Sequence, residues 1–323
     1  MKKIILILLA AALLLGGCSL QPKQHSVTYL NLFDTVTTIL GSGGSEDDFQ
    51  QNATNIYNQL YRYHQLFDIY NDYDGIPNLK TVNDRAGIAP VKVDPAIIGL
   101  LLDCKTYYQL TGGKVNAAMG SVLRLWHEAR ASEQLPDSHD LAYAAAHTDF
   151  DNIIIDEAAS TVYISDPDLS LDVGAIAKGW AVQQVAKDAP SGLLISVGGN
   201  VCATGPKADG SNWVIGIQNP DGGDYLATVS ISGGSVVTSG DYQRFFTVDG
   251  VNYHHIIDPE TLMPSAYWCS VTVICADSGL ADALSTALFL LPLDEGQALA
   301  EQCGAQALWV DATGQEFTTP SFQ

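Results

Sequence analysis

The sequence predicts an α+β fold in which mostly antiparallel sheets pack against helices, and two observations carry this prediction. From residue 151 onward, short segments rich in β-branched residues alternate with turns of Gly, Asp, Asn and Pro, as in antiparallel sheets. Helices are predicted between these strands at few places, without the regular strand–helix alternation of a parallel sheet. No change in composition marks a linker, so residues 27–323 are expected to form a single domain.

The first residues predict a bacterial lipoprotein signal. Lys2 and Lys3 precede an apolar run, residues 4–15, that is too short to span a bilayer comfortably. The sequence Leu15-Gly16-Gly17-Cys18 resembles a lipobox, so residues 1–17 are expected to be removed and Cys18 to carry a lipid. Residues 18–26 would form a tether, which places the protein outside the cytoplasm, anchored to a bacterial membrane. The alternatives are an ordinary signal peptide cleaved elsewhere and an uncleaved anchor.

The N-terminal half of the domain predicts strands followed by helices. Residues 26–40 are rich in β-branched residues and predict one or two strands. Apolar residues then recur every three or four positions from 46 to 68, which predicts a helix. A second helix is predicted to begin at Asp94-Pro95 and to end at Gly112-Gly113. Residues 131–147 are also expected to be helical, and three histidines are expected on the surface: His127, His139 and His147.

The C-terminal half predicts mainly short strands. Helices interrupt them at residues 174–189, 277–291 and 294–303. The strand candidates are residues 152–155, 161–165, 169–172, 193–197, 200–205, 213–218, 226–231, 235–239, 244–248, 252–257 and 268–275.

The formal net charge of −21 limits which binding partners are expected. A strongly acidic protein is unsuited to binding nucleic acid or to docking on anionic lipid through a basic patch. Its charge also makes a polyanionic ligand harder to hold unless a metal ion assists locally. The cysteines that follow Cys18 are odd in number and lack zinc-site spacing, so buried thiols are expected and not a disulfide framework.

The stretch LDVGAIAKGW, residues 171–180, predicts a buried strand that delivers Asp172 to a helix opened by Gly174. The free N–H groups and the dipole of a helix N-terminus attract anions, and Lys178 adds a positive charge on the same side. The arrangement suits a ligand with phosphates. Taken alone, however, the stretch favours an ordinary strand–helix junction with a solvated lysine.

Asp282 and Thr286 stand four residues apart on the helix predicted at 278–291, so both project from one face. A carboxylate and a hydroxyl on one face, together with a backbone carbonyl from elsewhere, offer oxygen ligands suited to Mg²⁺. Without further information, an ordinary N-terminal acid and a core threonine are the simpler interpretation.

Six segments carry a family resemblance in one order along the chain. They are FDT (33–35), LDVGAIAKGW (171–180), SVGGN (196–200), SVVTSGDYQR (235–244), HHIIDPETLMP (254–264) and ADALSTALFL (281–290). Together they resemble the ApbE family, the FAD:protein FMN transferases. The resemblance runs from Phe33 to the C-terminus and implies the fold of that family, with a flavin site in a cleft between two interlocked subdomains.

The resemblance implies roles for the matching residues. Asp282, Thr286 and the Ala175 carbonyl would bind Mg²⁺, and Asp282 and His255 would be catalytic. His255 would act as general base toward an acceptor hydroxyl, because histidine can take a proton near neutral pH. Alternatively, His255 could be a core or capping residue. For His254, that structural role is the favoured interpretation. Contacts to FAD are implied for Phe33, Tyr70, Ala117, Ala118, Met119, Asp172, Lys178, Gly198, Gly199, Ser239, Arg244, His255 and Ile257.

The chain departs from the family pattern in three places. Asn116-Ala117 stands where the family has Asp-Pro, which removes any role for a carboxylate but leaves the backbone free to contact a nucleotide. Thr261-Leu262 stands where the family has Thr-Gly, so a permissive glycine is lost from a loop. The residues around Tyr70 also lack the serine-rich sequence usual in the family.

The implied activity is Mg²⁺-dependent transfer of the FMN moiety of FAD to a Ser or Thr hydroxyl of an acceptor protein, with release of AMP. The acceptor would be a flavoprotein subunit or domain with a flavinylation motif, and this chain contains no such motif. One alternative is an FAD pyrophosphatase that gives FMN and AMP. Another is a non-catalytic flavin-binding lipoprotein. A solute-binding lipoprotein is disfavoured, because the sequence lacks a clear two-lobed alternation of strands and helices.

Overall fold

The structure, a computed structural model, describes residues 22–322. The predicted signal segment (1–17) and Cys18 lie outside the described residues, so the lipid anchor stays a prediction. Within residues 22–322, no helix is both long and apolar enough to cross a membrane. The cysteines of this part of the chain are all free thiols; Cys104, Cys202 and Cys275 are buried as expected, whereas Cys269 and Cys303 are partly exposed.

Fifteen strands are present among the described residues, and eight of them form one antiparallel sheet in the order β1-β2-β6-β7-β10-β13-β14-β15. A three-stranded sheet, β3-β5-β4, and the hairpins β8–β9 and β11–β12 complete the β structure. The bounds are β1 (Gln24–Leu32), β2 (Thr35–Ser42), β3 (Val91–Lys92), β4 (Ile153–Asp156), β5 (Thr161–Ile164), β6 (Leu193–Val197), β7 (Asn200–Ala203), β8 (Trp213–Gln218), β9 (Tyr225–Ile231), β10 (Gly234–Gly240), β11 (Phe245–Val248), β12 (Val251–His254), β13 (Ser270–Cys275), β14 (Gln306–Val310) and β15 (Glu316–Thr318).

Five of the eight helices among the described residues begin where a side chain accepts a free backbone N–H. Ser45 and Asp94 accept hydrogen bonds from Asp48 N and Ala96 N, and they start the two long helices of the N-terminal half. Asp277 accepts from Leu280 N in the same way. The described helices are α1 (Glu46–Phe67), α2 (Leu79–Asn83), α3 (Pro95–Leu110), α4 (Gly120–Ser132), α5 (Ser138–Ala145), α6 (Ala177–Asp188), α7 (Ser278–Phe289) and α8 (Leu293–Gln302).

Three apolar clusters arrange these elements. The largest lies between the eight-stranded sheet and helices α1, α3, α6, α7 and α8. A second, on the opposite face of the sheet, is covered by the hairpin β8–β9. The third joins α4 and α5 to the hairpin β11–β12 through residues such as Trp126 and Phe246. A cleft separates this third cluster from the helical layer of the sheet.

Three sequence-based expectations are wrong in detail. Residues 169–172 form no strand; only Ser170 pairs, in an isolated bridge with Met119. Helix α6 begins at Ala177, because the Asp172 carboxylate accepts the N–H of Gly174 and holds residues 174–176 in a turn. The helix expected at 131–147 is two helices, interrupted where Glu133 adopts a left-handed conformation (φ +54°).

Gly179 allows α6 and α7 to touch. A Cβ at this position would lie 2.3 Å from the Ser278 carbonyl oxygen and 2.4 Å from the Asp282 Cβ. We therefore expect Gly179→Ala to lower the free energy of unfolding by about 1–3 kcal/mol in urea titrations, through overpacking. Gly233→Ala is the control, since its Cβ would meet only the Ala203 carbonyl oxygen, at 3.9 Å. Equal stability of the two variants would show that the helices can separate without cost.

Candidate active site

A cavity of about 530 Å³ opens in the cleft and collects most of the predicted site residues. Its walls come from the β1–β2 turn, the end of α1, helices α4, α6 and α7, and the turn between β6 and β7. Thirteen of the sixteen predicted metal-, flavin- and base-site residues line it: Phe33, Tyr70, Met119, Asp172, Ala175, Lys178, Gly198, Ser239, Arg244, His255, Ile257, Asp282 and Thr286.

Three predicted residues, Ala117, Ala118 and Gly199, are absent from the cavity wall. Ala117 and Ala118 are buried behind it, where the Ala117 carbonyl accepts the N–H of Asp172. Their backbone thereby positions Asp172, which does line the cavity. Gly198 is the glycine that the β6–β7 turn requires, because its φ is +57° and a Cβ would lie 2.7 Å from Thr35 Oγ1.

The Asp282 carboxyl is the most deeply buried charged group of the cavity, at 4 % exposure. Its Oδ2 accepts the N–H of Gly179, in the first turn of α6, at 2.8 Å, and Lys178 Nζ lies 3.7 Å from the same oxygen. Burial raises the pKa of Asp282, while Lys178 and the Gly179 N–H act in the opposite direction. The charge of this carboxylate is thus only partly offset by the protein.

The residues around Asp282 fit a divalent metal ion. Thr286 lies one turn further along α7 and lines the same cavity, as does Ala175 in the turn before α6. Carboxylate, hydroxyl and carbonyl oxygens are the donors that Mg²⁺ prefers. A buried, partly compensated carboxylate also favours a nearby cation on electrostatic grounds.

The adjacent histidines have opposite tautomers, set by the carbonyls they face. A carbonyl oxygen can only accept, so His254 carries its proton on Nε2, which donates to the Ser265 carbonyl at 2.7 Å. His254 Nδ1 accepts the N–H of Ile256, and both of its ring nitrogens are therefore occupied. His255 donates through Nδ1 to the Arg244 carbonyl at 3.2 Å, which leaves Nε2 as a free acceptor in its neutral form.

His255 stays neutral because of its surroundings. Burial, followed by the charge of Arg244, lowers its pKa to about 4. At neutral pH its Nε2 is therefore unprotonated and available as a base. His255 lines the cavity, whereas both ring nitrogens of His254 bond to backbone groups; the roles expected for the two histidines stay predictions.

Sequence reasoning missed several lining residues, among them His64, Lys114, His127, Arg130 and Asn200. His127 was expected on the surface, but it lies in the wall and shares a 2.9 Å hydrogen bond with the Tyr70 hydroxyl. Asn200 ends the SVGGN segment, and its position beside two glycines was the available signal. The remaining residues carry no local pattern, because they converge from separate elements.

Comparisons with known proteins identify the family of this chain. A sequence model of the ApbE family matches residues 33–309. The chain belongs to the ApbE family. The FAD:protein FMN transferase of Treponema pallidum is 37 % identical over 253 residues, which cover 72 % of this chain and 70 % of that protein. A second protein of that name, from Klebsiella pneumoniae, is 32 % identical over 257 residues, with 77 % and 78 % covered.

Solved ApbE structures share the fold. The ApbE protein of Thermotoga maritima superposes with a TM-score of 0.85 at 29 % identity, over 93 % of this chain and 98 % of that one. The flavin transferase ApbE of Vibrio cholerae gives 0.80 at 26 % identity over the same shares. The predicted family, the α+β fold and the assignment as a transferase are thereby confirmed.

The departures from the ApbE pattern are accommodated locally. Asn116 donates its amide to the Thr148 carbonyl and accepts from Ala118 N, so it shapes the loop without a carboxylate. Leu262 adopts a left-handed conformation (φ +60°), a conformation that glycine adopts freely, at a cost of about 1–2 kcal/mol. Its carbonyl accepts the Trp126 indole N–H at 2.9 Å, which ties this loop to α4.

The lowered pKa of His255 predicts a pH dependence of stability. The unfolded chain binds this proton near pH 6.5 and the folded chain only near pH 4, so stability present at pH 7 is lost as pH falls through that window. We expect His255→Gln to reduce the loss of unfolding free energy between pH 7 and 4.5 by about 1–2 kcal/mol. The same urea titrations on His139→Gln, at an exposed position, should follow the unmodified protein. If His255→Gln lost as much unfolding free energy between pH 7 and 4.5 as the unmodified protein, His255 would not be neutral in the folded chain at pH 7.

Proposed function

We propose that this protein transfers the FMN moiety of FAD to a Ser or Thr hydroxyl of an acceptor protein, with release of AMP and with Mg²⁺ bound at Asp282. The observation that carries the proposal is one cavity that holds a buried, partly compensated carboxylate and a neutral histidine with a free Nε2. Relatives that match most of the chain are FAD:protein FMN transferases.

The residues of the cavity take separate parts in the reaction. The acceptor oxygen forms a bond to the FMN-side phosphorus while the bond from that phosphorus to the oxygen of AMP breaks. His255 Nε2 takes the hydroxyl proton, since it is the free acceptor of a ring whose other nitrogen is held by Arg244 O. Lys178 stands where it can hold the phosphate oxygens, 3.7 Å from Asp282.

Asp282, Thr286 and the Ala175 carbonyl are the residues that would hold the metal. A divalent cation at such a site neutralises the charge that develops on the phosphoryl oxygens. The Gly179 N–H fixes one oxygen of Asp282, so the carboxylate is oriented before any ligand arrives. Asp172, Tyr70 and Arg244 line the same cavity and offer charged and hydrogen-bonding groups for the dinucleotide.

The acceptor is proposed to be a separate flavoprotein subunit or domain with a flavinylation motif. The chain itself has no such motif, and the predicted lipid at Cys18 would anchor it to a bacterial membrane outside the cytoplasm. Acceptors in membrane redox complexes fit that location.

Asp282→Asn tests the metal site directly. The change keeps the side-chain shape but removes the charge that holds the cation, so the rate of AMP release from FAD should fall about 100-fold or more. AMP release is followed by chromatography with FAD, Mg²⁺ and an acceptor domain. Asp294→Asn, in the exposed first turn of α8, is the matched control and should retain full activity. Full activity in Asp282→Asn would contradict the proposed site.

A further inference from the structure

Asn200 is a buried amide in the cavity whose role is not yet accounted for. It is the first residue of β7 and pairs with Val197 across the Gly198–Gly199 turn. Side chains alternate along a strand, so Asn200 faces the same side as Cys202. Cys202 packs in the large cluster beneath α6 and α7. The Asn200 side chain therefore projects from the sheet toward the helices that carry Lys178 and Asp282.

The Asn200 amide has an unused donor. The residue is only 2 % exposed, and Nδ2 finds no hydrogen-bond partner among the described residues. It lies close enough to Asp282 to help lower the pKa of that carboxyl, but without the geometry of a formed hydrogen bond. A buried donor without a hydrogen-bond partner has lost its bonds to water and destabilises the folded chain. Such a group at a cavity wall indicates that a ligand supplies the acceptor.

The surroundings of Asn200 define the chemistry of that acceptor. Lys178 brings a positive charge to this end of the cavity, and Asp282 with Thr286 is suited to a cation. Anionic oxygens are favoured between such groups. A neutral amide N–H adds a directed donor there without altering the charge of the site. A phosphate oxygen meets all three requirements.

We propose that Asn200 is a catalytic residue whose Nδ2 donates a hydrogen bond to a non-bridging oxygen of the FMN-side phosphate of FAD. This inference rests on the proposed function. The oxygen gains negative charge as the acceptor attacks, so the hydrogen bond strengthens on the way to the transition state. The rigid β6–β7 turn holds the donor in place before the reaction begins.

Asn200→Ala and Asn200→Asp test the proposal. Both should lower kcat for AMP release about 100- to 1000-fold, the loss typical of one such donor, while the Kd for FAD changes less than tenfold. Asn55→Ala, at an exposed position of α1, is the control. Melting curves identify any variant that is unfolded. Unchanged kcat in a folded Asn200→Ala, or a loss confined to the Kd, would overturn the proposal.

A second measurement separates a direct contact from a structural role. FAD with sulfur in place of one non-bridging oxygen of the FMN-side phosphate exists as two diastereomers, and sulfur accepts hydrogen bonds poorly. The unmodified protein should release AMP more slowly from one diastereomer than from the other. In Asn200→Ala this difference in rate between the two diastereomers should be smaller. Equal discrimination in both proteins would overturn the contact. Absence of AMP release from the unmodified protein would instead overturn the proposed function, and the role of Asn200 with it.

Discussion

The contact between the Asp282 carboxylate and the first turn of α6 is the interaction on which the site depends. A carboxylate at 4 % exposure is costly unless it is hydrogen-bonded and neutralised. The Gly179 N–H and the nearby Lys178 supply part of this compensation. The same contact fixes the spacing of α6 and α7, since no side chain fits at Gly179. The remaining charge is available to the proposed cation, so Asp282 would serve both the packing of the two helices and the binding of the metal.

Backbone carbonyls set the proton positions of the two neighbouring histidines. The chain presents Ser265 O to one ring and Arg244 O to the next, and each carbonyl fixes which nitrogen keeps its proton. Only His255 is left with a free nitrogen. Two adjacent histidines therefore differ in chemistry because they face different backbone carbonyls, which the sequence alone does not reveal.

The sequence predicted those parts of the site that are local in the chain. Asp282 and Thr286 share a helix face because of their spacing, and the Gly198 turn followed from paired glycines. The strand expected at 169–172 did not form, because the apolar pattern of a buried strand also fits a buried irregular segment whose N–H groups bond elsewhere, as Asp172 N does to Ala117 O. The strands β14 and β15 were missed, and the burial of Asn200 and His127 depends on elements distant in sequence.

We propose that a metal at Asp282 and a base at His255 direct the FMN phosphoryl group to a protein hydroxyl. The measurement that tests it most directly is the intact mass of a flavin-acceptor domain after incubation with the protein and FAD, with Mg²⁺ or with a chelator. We expect the acceptor to gain the mass of an FMN group when Mg²⁺ is present and to remain unmodified with the chelator. Free FMN and AMP beside an unmodified acceptor in the presence of Mg²⁺ would contradict it, since the acceptor of the phosphoryl group would then be water.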